Sequence, residues 1–250
     1  MDLERSWIDG ELLAFDLETT GIDRFDDVPV SYALVRMSQG AVTRVQGALV
    51  DPGRRIPEGA TAVHGITTER ARAEGMPLAT AVLRIADELI RASRRQIPVV
   101  GMKLDFDLTI VDAILRRKTR KGLAERGFRG PVVDVLVLDR RLDRYRRGSR
   151  KLVDLCAHYG VALETAHEAA ADAIASAQVA RALGRRFDRI GCADLSELHD
   201  DQNVWHRRWI EHYDRWRQSE GMSPLADHER QWPIARDDPY QLNWDDVFAA

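Results

Sequence analysis

The chain has 250 residues, of which 44% are hydrophobic and 31% charged, and its formal net charge at pH 7 is −3. This length and apolar content are enough to bury a full core, and they favour one large domain with an appendage. The net charge excludes a uniformly basic coat, and the sequence has no apolar run long enough to cross a bilayer. Two cysteines without CxxC spacing are too few for a disulfide framework.

The first third of the chain predicts the strands of a sheet. The N-terminal segment MDLERSWIDG carries acids where a signal peptide is basic, so we expect a cytoplasmic protein with no membrane partner. The run ELLAFDLE at 11–18 predicts a central strand whose end alternates acid, leucine, acid. VPVSYALVRM and AVTRVQGALV predict an antiparallel hairpin around Ser38-Gln39-Gly40, and the proline- and glycine-punctuated stretch 50–66 predicts a loop.

The middle of the chain alternates helical and strand patterns. Thr67 or Thr68 can cap a short helix, and a longer helix is predicted after Pro77 to about Arg95. IPVVGMK and PVVDVLVL are apolar runs that predict buried strands, and DFDLTIVDAILRRK between them has helical spacing. SRKLVDLCAHYGV and the alanine-rich segment 168–187 predict two further helices. The order predicts an α/β fold with a mixed sheet flanked by helices.

The composition changes near residue 190. From residue 194 onward there are thirteen acids against six arginines, and five of the six tryptophans follow residue 200. Spacings of seven, four and seven predict a helix over about 194–219 with one apolar face, formed by Leu198, Trp205, Trp209 and Trp216. The remainder predicts an extended arm. We therefore expect a main domain at 1–190 and a C-terminal helix with an acidic, tryptophan-rich arm at 191–250.

Paired acids at the end of the first strand indicate a cation site. Asp16 and Glu18 are two residues apart on a strand, so both carboxylates point to the same face of the sheet. Their repulsion is relieved by hard divalent cations, and two such ions about 4 Å apart can clamp the attacking and leaving oxygens of a phosphodiester. Exposed acids at a strand end explain the pair equally well when it is considered alone.

Two further positions carry groups of the same chemistry. Asp107 lies where an apolar strand gives way to a helix, a place where Asp105 could simply be a cap. His167 and Asp172 are five residues apart, so they do not share one helical face. We expect the histidine to project from a loop and the aspartate from the first turn of the alanine-rich helix, an arrangement that suits a base and a ligand. An ordinary solvated loop histidine is the alternative.

Three motifs in order resemble the DEDDh family of 3′-to-5′ exonucleases, which includes the epsilon subunit of bacterial DNA polymerase III, RNase T and oligoribonuclease. They are FDLETTG at 15–21, FDLTIVDAIL at 106–115 and HEAAAD at 167–172. The segments VHGIT and KLVDLCAHYGV are also similar, so the resemblance covers about residues 8–188. It implies a ribonuclease-H-like fold with a mixed five-stranded sheet, a single-stranded nucleic-acid 3′ end as substrate, and nucleoside 5′-monophosphate as product.

The resemblance also implies a role for each site residue. Two divalent ions, Mg²⁺ or Mn²⁺, would be held by four carboxylates, with Asp16 bridging both ions, and by Glu18, Asp107 and Asp172. His167 would be the general base, since an imidazole can accept a proton near neutrality.

A second set of residues would hold the terminal nucleotide. The resemblance implies that Leu17 wedges under the last base, that His64 lies near its sugar, and that Thr19 and Ile66 complete the contact. A core leucine is the alternative for Leu17. The sequence departs from the family at Met102-Lys103, where many members carry His-Asn, and we expect Lys103 to meet a phosphate instead.

Charge and tail composition leave the substrate and partners open. Residues 116–129 and 139–151 each hold seven Lys and Arg, which predicts an electrostatic track for a single strand, although solvated helix faces carry similar runs. A DNA exonuclease of the proofreading or repair type is preferred because VHGIT looks closer to epsilon-type members. The alternatives are an RNA-trimming enzyme, and an interaction protein whose C-terminal arm docks on a polymerase or on a second copy of itself.

Overall fold

The structure is a computed structural model that describes residues 6–163 and 166–236, and a mixed sheet lies at its centre. The strands are β1 (Glu11–Thr19), β2 (Pro29–Ser38), β3 (Ala41–Asp51), β4 (Met76–Pro77), β5 (Val99–Gly101) and β6 (Val132–Asp134). Their order is β4-β3-β2-β1-β5-β6. β1, β2 and β3 pair antiparallel, whereas β5 and β6 continue the sheet in parallel on the other side of β1.

The predicted sheet is confirmed with one strand more than the expected five. The additional β4 is two residues long and pairs in parallel with the end of β3, with Val50 opposite Met76. The predicted hairpin turn is also present. Gln39 and Gly40 both have positive φ, 51° and 81°, a combination that matches the right-handed twist of the paired strands.

Helices cover both faces of the sheet. They are α1 (Glu58–His64), α2 (Thr68–Glu74), α3 (Leu78–Arg94), α4 (Leu104–Thr119), α5 (Val135–Leu142), α6 (Leu152–Tyr159), α7 (Ala169–Arg186), α8 (Asp188–Gly191) and α9 (Leu195–Ser219). The side chains of Leu13, Phe15 and Leu17 pack in one core cluster with α3 and α4, whereas Leu12 and Ala14 pack in a second cluster with the alanines of α7. Small side chains let α7 lie close to β1.

Two segments differ from the sequence-based prediction. Residues 58–64, expected in a loop, form α1, which ends at Gly65 with a φ of 72° and a bond from the Gly65 N–H to the Thr61 carbonyl. The run PVVDVLVL, predicted as one strand, divides at Asp134. The Asp134 carboxylate accepts hydrogen bonds from the backbone N–H groups of Leu136 and Val137, so it caps α5 and ends the strand after three residues.

The C-terminal extension packs on the main domain as far as it is described. α9 begins at Leu195 and is capped by Asp194. The buried Gln202 donates to the Val132 carbonyl at 2.9 Å and accepts the Asp134 N–H at 2.8 Å. Trp232 is 4% exposed and lies in the core cluster that contains α4. The rest of the predicted arm, 237–250, lies outside the described residues. No helix among residues 6–163 and 166–236 combines the length and apolar character of a membrane span.

Candidate active site

The alternation of β1 sets the direction of its two acids. Leu13, Phe15 and Leu17 face α3 and α4, so the alternate positions, including Asp16 and Glu18, face the side covered by α7. Asp16 lies opposite Ala33 and Glu18 lies opposite Ser31 on β2. Both carboxylates are partly accessible at the end of β1, beside the start of α7.

Asp107 approaches the same place from the neighbouring helix. It lies in the first turn of α4, is 4% exposed, and its Oδ1 accepts the backbone N–H of Leu17 at 3.0 Å. The start of α4 is itself fixed by Asp134, whose carboxylate oxygens accept the N–H groups of Lys103 and Leu104 at 3.1 and 2.8 Å. The end of β1 and the start of α4 are therefore joined through Asp107.

Asp172 and His167 come from the start of α7. His167 is exposed, has a φ of 65°, and donates its backbone N–H to the Asp172 Oδ2 at 3.2 Å. One potential ligand atom from each of Glu18, His167 and Asp172 lies within 4.8 Å of the others. The loop histidine and the first-turn aspartate occupy the positions that their five-residue spacing suggests, and they lie next to β1.

Burial, and in part mutual repulsion, raise the pKa values of the carboxyl groups in the cluster. Burial, and then the charges of Asp107, Asp172 and Glu18, raise the pKa of Asp16 well above its usual range. Burial and Asp172 raise the pKa of Glu18 to about 7. Burial also raises the pKa of Asp172, against the opposing effect of the His167 backbone N–H. A positive charge bound among these carboxyl groups would favour their ionised forms.

The surroundings of one carboxylate oxygen in this cluster favour the binding of a cation. The Asp172 Oδ1 is buried and accepts no hydrogen bond from the described residues. A buried carboxylate oxygen without a donor costs free energy unless a cation binds it. Carboxylate oxygens are also the ligands that Mg²⁺ and Mn²⁺ prefer, so Asp16, Glu18, Asp107 and Asp172 fit divalent ions.

The residues predicted to hold a nucleotide differ in their surroundings: His64 lies near the candidate site, whereas Leu17 and Ile66 are buried in core clusters. His64 lies near Thr19 and His167, its Nδ1 accepts the Ile66 N–H at 3.0 Å, and burial lowers its pKa, opposed by the Thr19 backbone. Its Nε2 is buried without a partner among the described residues. Leu17 and Ile66 are 7% and 6% exposed and pack in core clusters. A base contact by either side chain therefore stays a prediction.

Lys103 and Asp105 complete the edge of the site. The exposed Lys103 has its Nζ 5.1 Å from the centre of the Phe106 ring. Burial and Asp105 raise the pKa of Asp107 well above its usual range, and the charge of Lys103 opposes this shift. Asp105 is in the first turn of α4 and pairs with the buried Arg24 at 3.0 Å, so it acts as an ion-pair partner rather than as the cap considered for it. No sequence pattern indicated Arg24, because it comes from a loop far away in the chain.

The fold and the carboxylate cluster together define a nuclease-type hydrolase. A family model described as Exonuclease, RNase_T, matches residues 13–180, most of the chain. The chain belongs to this exonuclease family, and the prediction of the family and of an enzyme is confirmed.

Curated relatives carry replication names and differ in length. The chain is 29% identical over 176 residues to DNA polymerase III subunit epsilon of Aquifex aeolicus, covering 69% of this chain and 79% of that protein. It is 28% identical over 213 residues to the PolC-type DNA polymerase III of Lacticaseibacillus paracasei, covering 80% of this chain. The chain spans only 13% of the length of that PolC-type relative.

Solved structures show the same fold at low identity. E. coli Exonuclease I in complex with a dA16 oligonucleotide has a TM-score of 0.62 and 22% identity, covering 79% of this chain and 44% of that one. Exonuclease I from Methylocaldum szegediense has a TM-score of 0.58 and 24% identity, covering 72% and 42%. These likenesses support the ribonuclease-H-like fold.

Proposed function

We propose that the chain is a 3′-to-5′ exonuclease that hydrolyses the terminal phosphodiester of single-stranded nucleic acid and releases nucleoside 5′-monophosphates. The observation that carries the proposal is the convergence of four carboxylates and a histidine on one end of β1, with a buried Asp172 oxygen that no donor in residues 6–163 or 166–236 satisfies. Divalent ions held by Asp16, Glu18, Asp107 and Asp172 would activate water and offset negative charge on the scissile phosphate.

The protein's own groups would perform the remaining tasks. His167 is exposed and is held beside Asp172 through its backbone, so its ring is free to take a proton from water. The Leu17 N–H fixes Asp107 while the main chain of β1 fixes Asp16 and Glu18, so the carboxylates are held in place before substrate arrives. Lys103, exposed at the start of α4, would meet a phosphate.

DNA is the proposed substrate over RNA. The relatives named as epsilon and PolC-type DNA polymerase subunits, and the oligodeoxynucleotide complex of E. coli Exonuclease I, support this preference. RNA trimming is the competing function, because a 2′-hydroxyl is read by few contacts. The same relatives favour a polymerase partner as a further proposal, with the arm as its docking segment. Self-association through the arm is the other proposal for this segment.

The test follows oligonucleotides that carry the label at either end. Matched single-stranded DNA and RNA are incubated with Mg²⁺, with Mn²⁺ or with chelator, and with the wild type and Asp16→Asn. Asp87→Asn, an exposed acid on α3, is the matched control. We expect a metal-dependent ladder descending from the 3′ end, faster on DNA, present in the control and absent in Asp16→Asn. A folded, metal-loaded wild type that shortens neither strand would overturn the proposal.

A further inference from the structure

A basic groove lies between α5 and α9, apart from the carboxylate cluster. Its volume is about 570 Å³. α5 and the loop after it form one wall and α9 forms the other. The groove is lined by the arginines Arg140, Arg141, Arg144, Arg150, Arg208 and Arg215. Glu211 is the single acid among the lining residues. Such a concentration of positive charge is unusual in a chain whose net charge is −3.

Most of these arginines have no carboxylate partner among the residues that the structure describes. Arg150 pairs with the buried Asp139 at 2.6 Å. In contrast, Arg141, Arg144, Arg208 and Arg215 are exposed, and none forms an ion pair with an acid in residues 6–163 or 166–236. The basic run at 116–129 differs from this groove, because its Arg116 forms ion pairs with Asp112 and Glu125. Within the described part of the chain, the groove therefore offers guanidinium groups without an acidic partner, and these can bind an anion such as a phosphodiester.

An aromatic ladder continues from the groove along α9. The Arg140 guanidinium lies 3.3 Å from the centre of the Trp209 ring. Trp209 stacks on Tyr213 at 5.0 Å, and Tyr213 stacks on Trp216 at 5.6 Å, with interplanar angles of 19° and 22°. The last ring of the ladder, Trp216, is 49% exposed. The apolar face predicted for α9 is thus buried at Leu198 and exposed at Trp216, where a base can stack on the indole ring.

The groove is joined to the candidate active site through α5. Burial lowers the pKa of Arg140 to about 10, and the charges of Asp134 and Asp105 oppose this shift. Because a pKa of about 10 is still well above 7, Arg140 is cationic at neutral pH. Asp134 also holds the first N–H groups of α4, the helix that carries Asp107. Asp134 therefore links the groove-lining Arg140 to the start of α4.

We propose that the groove between α5 and α9, together with the ladder Trp209–Tyr213–Trp216, binds the phosphates and bases of the single strand upstream of its 3′ terminus. This inference rests on the proposed function, because the single strand is the substrate proposed there. Free arginines beside stacked rings match the two features of a single strand, its charged backbone and its flat bases. An acidic peptide would use the arginines but has no need of the open ring face.

The test measures binding without cleavage on the full chain. A 5′-fluorescein oligothymidylate of about 16 nucleotides, within the span of single-strand sites, is titrated in chelator by anisotropy. The groove variant is Arg141→Glu with Arg208→Glu. The matched control is Arg44→Glu with Arg84→Glu, two exposed arginines on β3 and α3 with the same charge change. Circular dichroism and the thermal midpoint check that both variants are folded.

We expect the groove variant to bind about tenfold more weakly than the control at low salt. The slope of log affinity against log salt should become shallower by about 0.7 for each phosphate that the variant no longer neutralises. Trp216→Ala should weaken binding about fivefold, and Trp216→Phe should restore it, because a phenyl ring still stacks. Equal affinities of the groove variant and the control, or displacement of the oligonucleotide by a polyglutamate peptide at equal concentration, would overturn the inference. Normal binding without a metal-dependent ladder would instead overturn the proposed function alone.

Discussion

The backbone N–H of Leu17 donates a hydrogen bond to the Asp107 Oδ1 at 3.0 Å, joining the strand that carries two acids of the site to the helix that carries a third. The side chain of Leu17 points into the core while its main chain holds an acid. A leucine between two carboxylates therefore contributes to the site through its peptide group, whatever its side chain does with substrate.

The first prediction separates the charge of Asp107 from this hydrogen bond. Asp107→Asn removes the charge but keeps an oxygen that can accept the Leu17 N–H, whereas Asp107→Ala removes both. Both variants should lose at least about a hundredfold in activity if the carboxylate holds a catalytic ion. Asp107→Ala should be about 1–2 kcal/mol less stable than Asp107→Asn, because a buried N–H loses its acceptor. Urea unfolding in chelator measures this difference, and equal stabilities would show that the bond contributes nothing.

The second prediction concerns pH in the metal-free protein. The pKa of Glu18 is raised from 4.5 to about 7, so the fold favours its protonated form. The contribution of Glu18 to the free energy of unfolding is therefore fully present below about pH 4.5 and is lost as the pH rises through about 7. After allowance for solvent screening we expect a loss of about 1–2 kcal/mol between pH 5 and 8. Glu18→Gln should reduce this slope in unfolding experiments with chelator, and a slope unchanged by the substitution would refute the assignment.

The third prediction reverses that dependence with metal. If the carboxylate cluster binds divalent ions, saturating Mn²⁺ should stabilise the wild type by about 2–3 kcal/mol at pH 8. The stabilisation should be smaller at pH 5, where protons compete for the same oxygens. Asp172→Asn removes the carboxylate with the unsatisfied Oδ1 and should abolish most of the gain. Thermal unfolding with and without Mn²⁺ provides the comparison, with Asp87→Asn as a charge-matched control. Stabilisation of equal size in Asp172→Asn would place the ion elsewhere.

The sequence predicted those parts of the fold and site that depend on local pattern. Two acids on alternate positions of a strand, an aspartate at a helix start and a histidine before an alanine-rich helix are each local signals, and the structure brings all of them together. β6 was overpredicted because Val and Leu fit a strand and a buried helix equally well, and only the cap by Asp134 ends the strand. Arg24 was missed because its role depends on Asp105, a partner 81 positions away.

The fourth prediction concerns this long-range pair. Arg24 is 8% exposed and bonds to Asp105 at 3.0 Å and to Glu229 at 3.2 Å. Arg24→Met should cost about 3 kcal/mol, because it leaves the charge of Asp105 buried beside Asp107. Arg24→Met with Asp105→Asn should recover most of that loss, since neither charge then remains. Denaturant unfolding of both variants gives the comparison, and a double variant no more stable than the single one would contradict the account.

The last prediction asks whether the extension belongs to the folding unit. Trp232 is 4% exposed in the main core cluster, and nearby the Ala235 N–H donates to the buried Thr109 Oγ1 at 2.8 Å. Trp232→Ala should cost about 3–5 kcal/mol through the cavity it leaves, whereas Trp216→Ala, at a ring 49% exposed, should cost less than about 1 kcal/mol. Urea unfolding of both variants gives the two values. A small cost at Trp232 would mean that this part of the arm can leave the domain, which would favour a docking role on a partner. The expected large cost would make Trp232 part of the core of the domain.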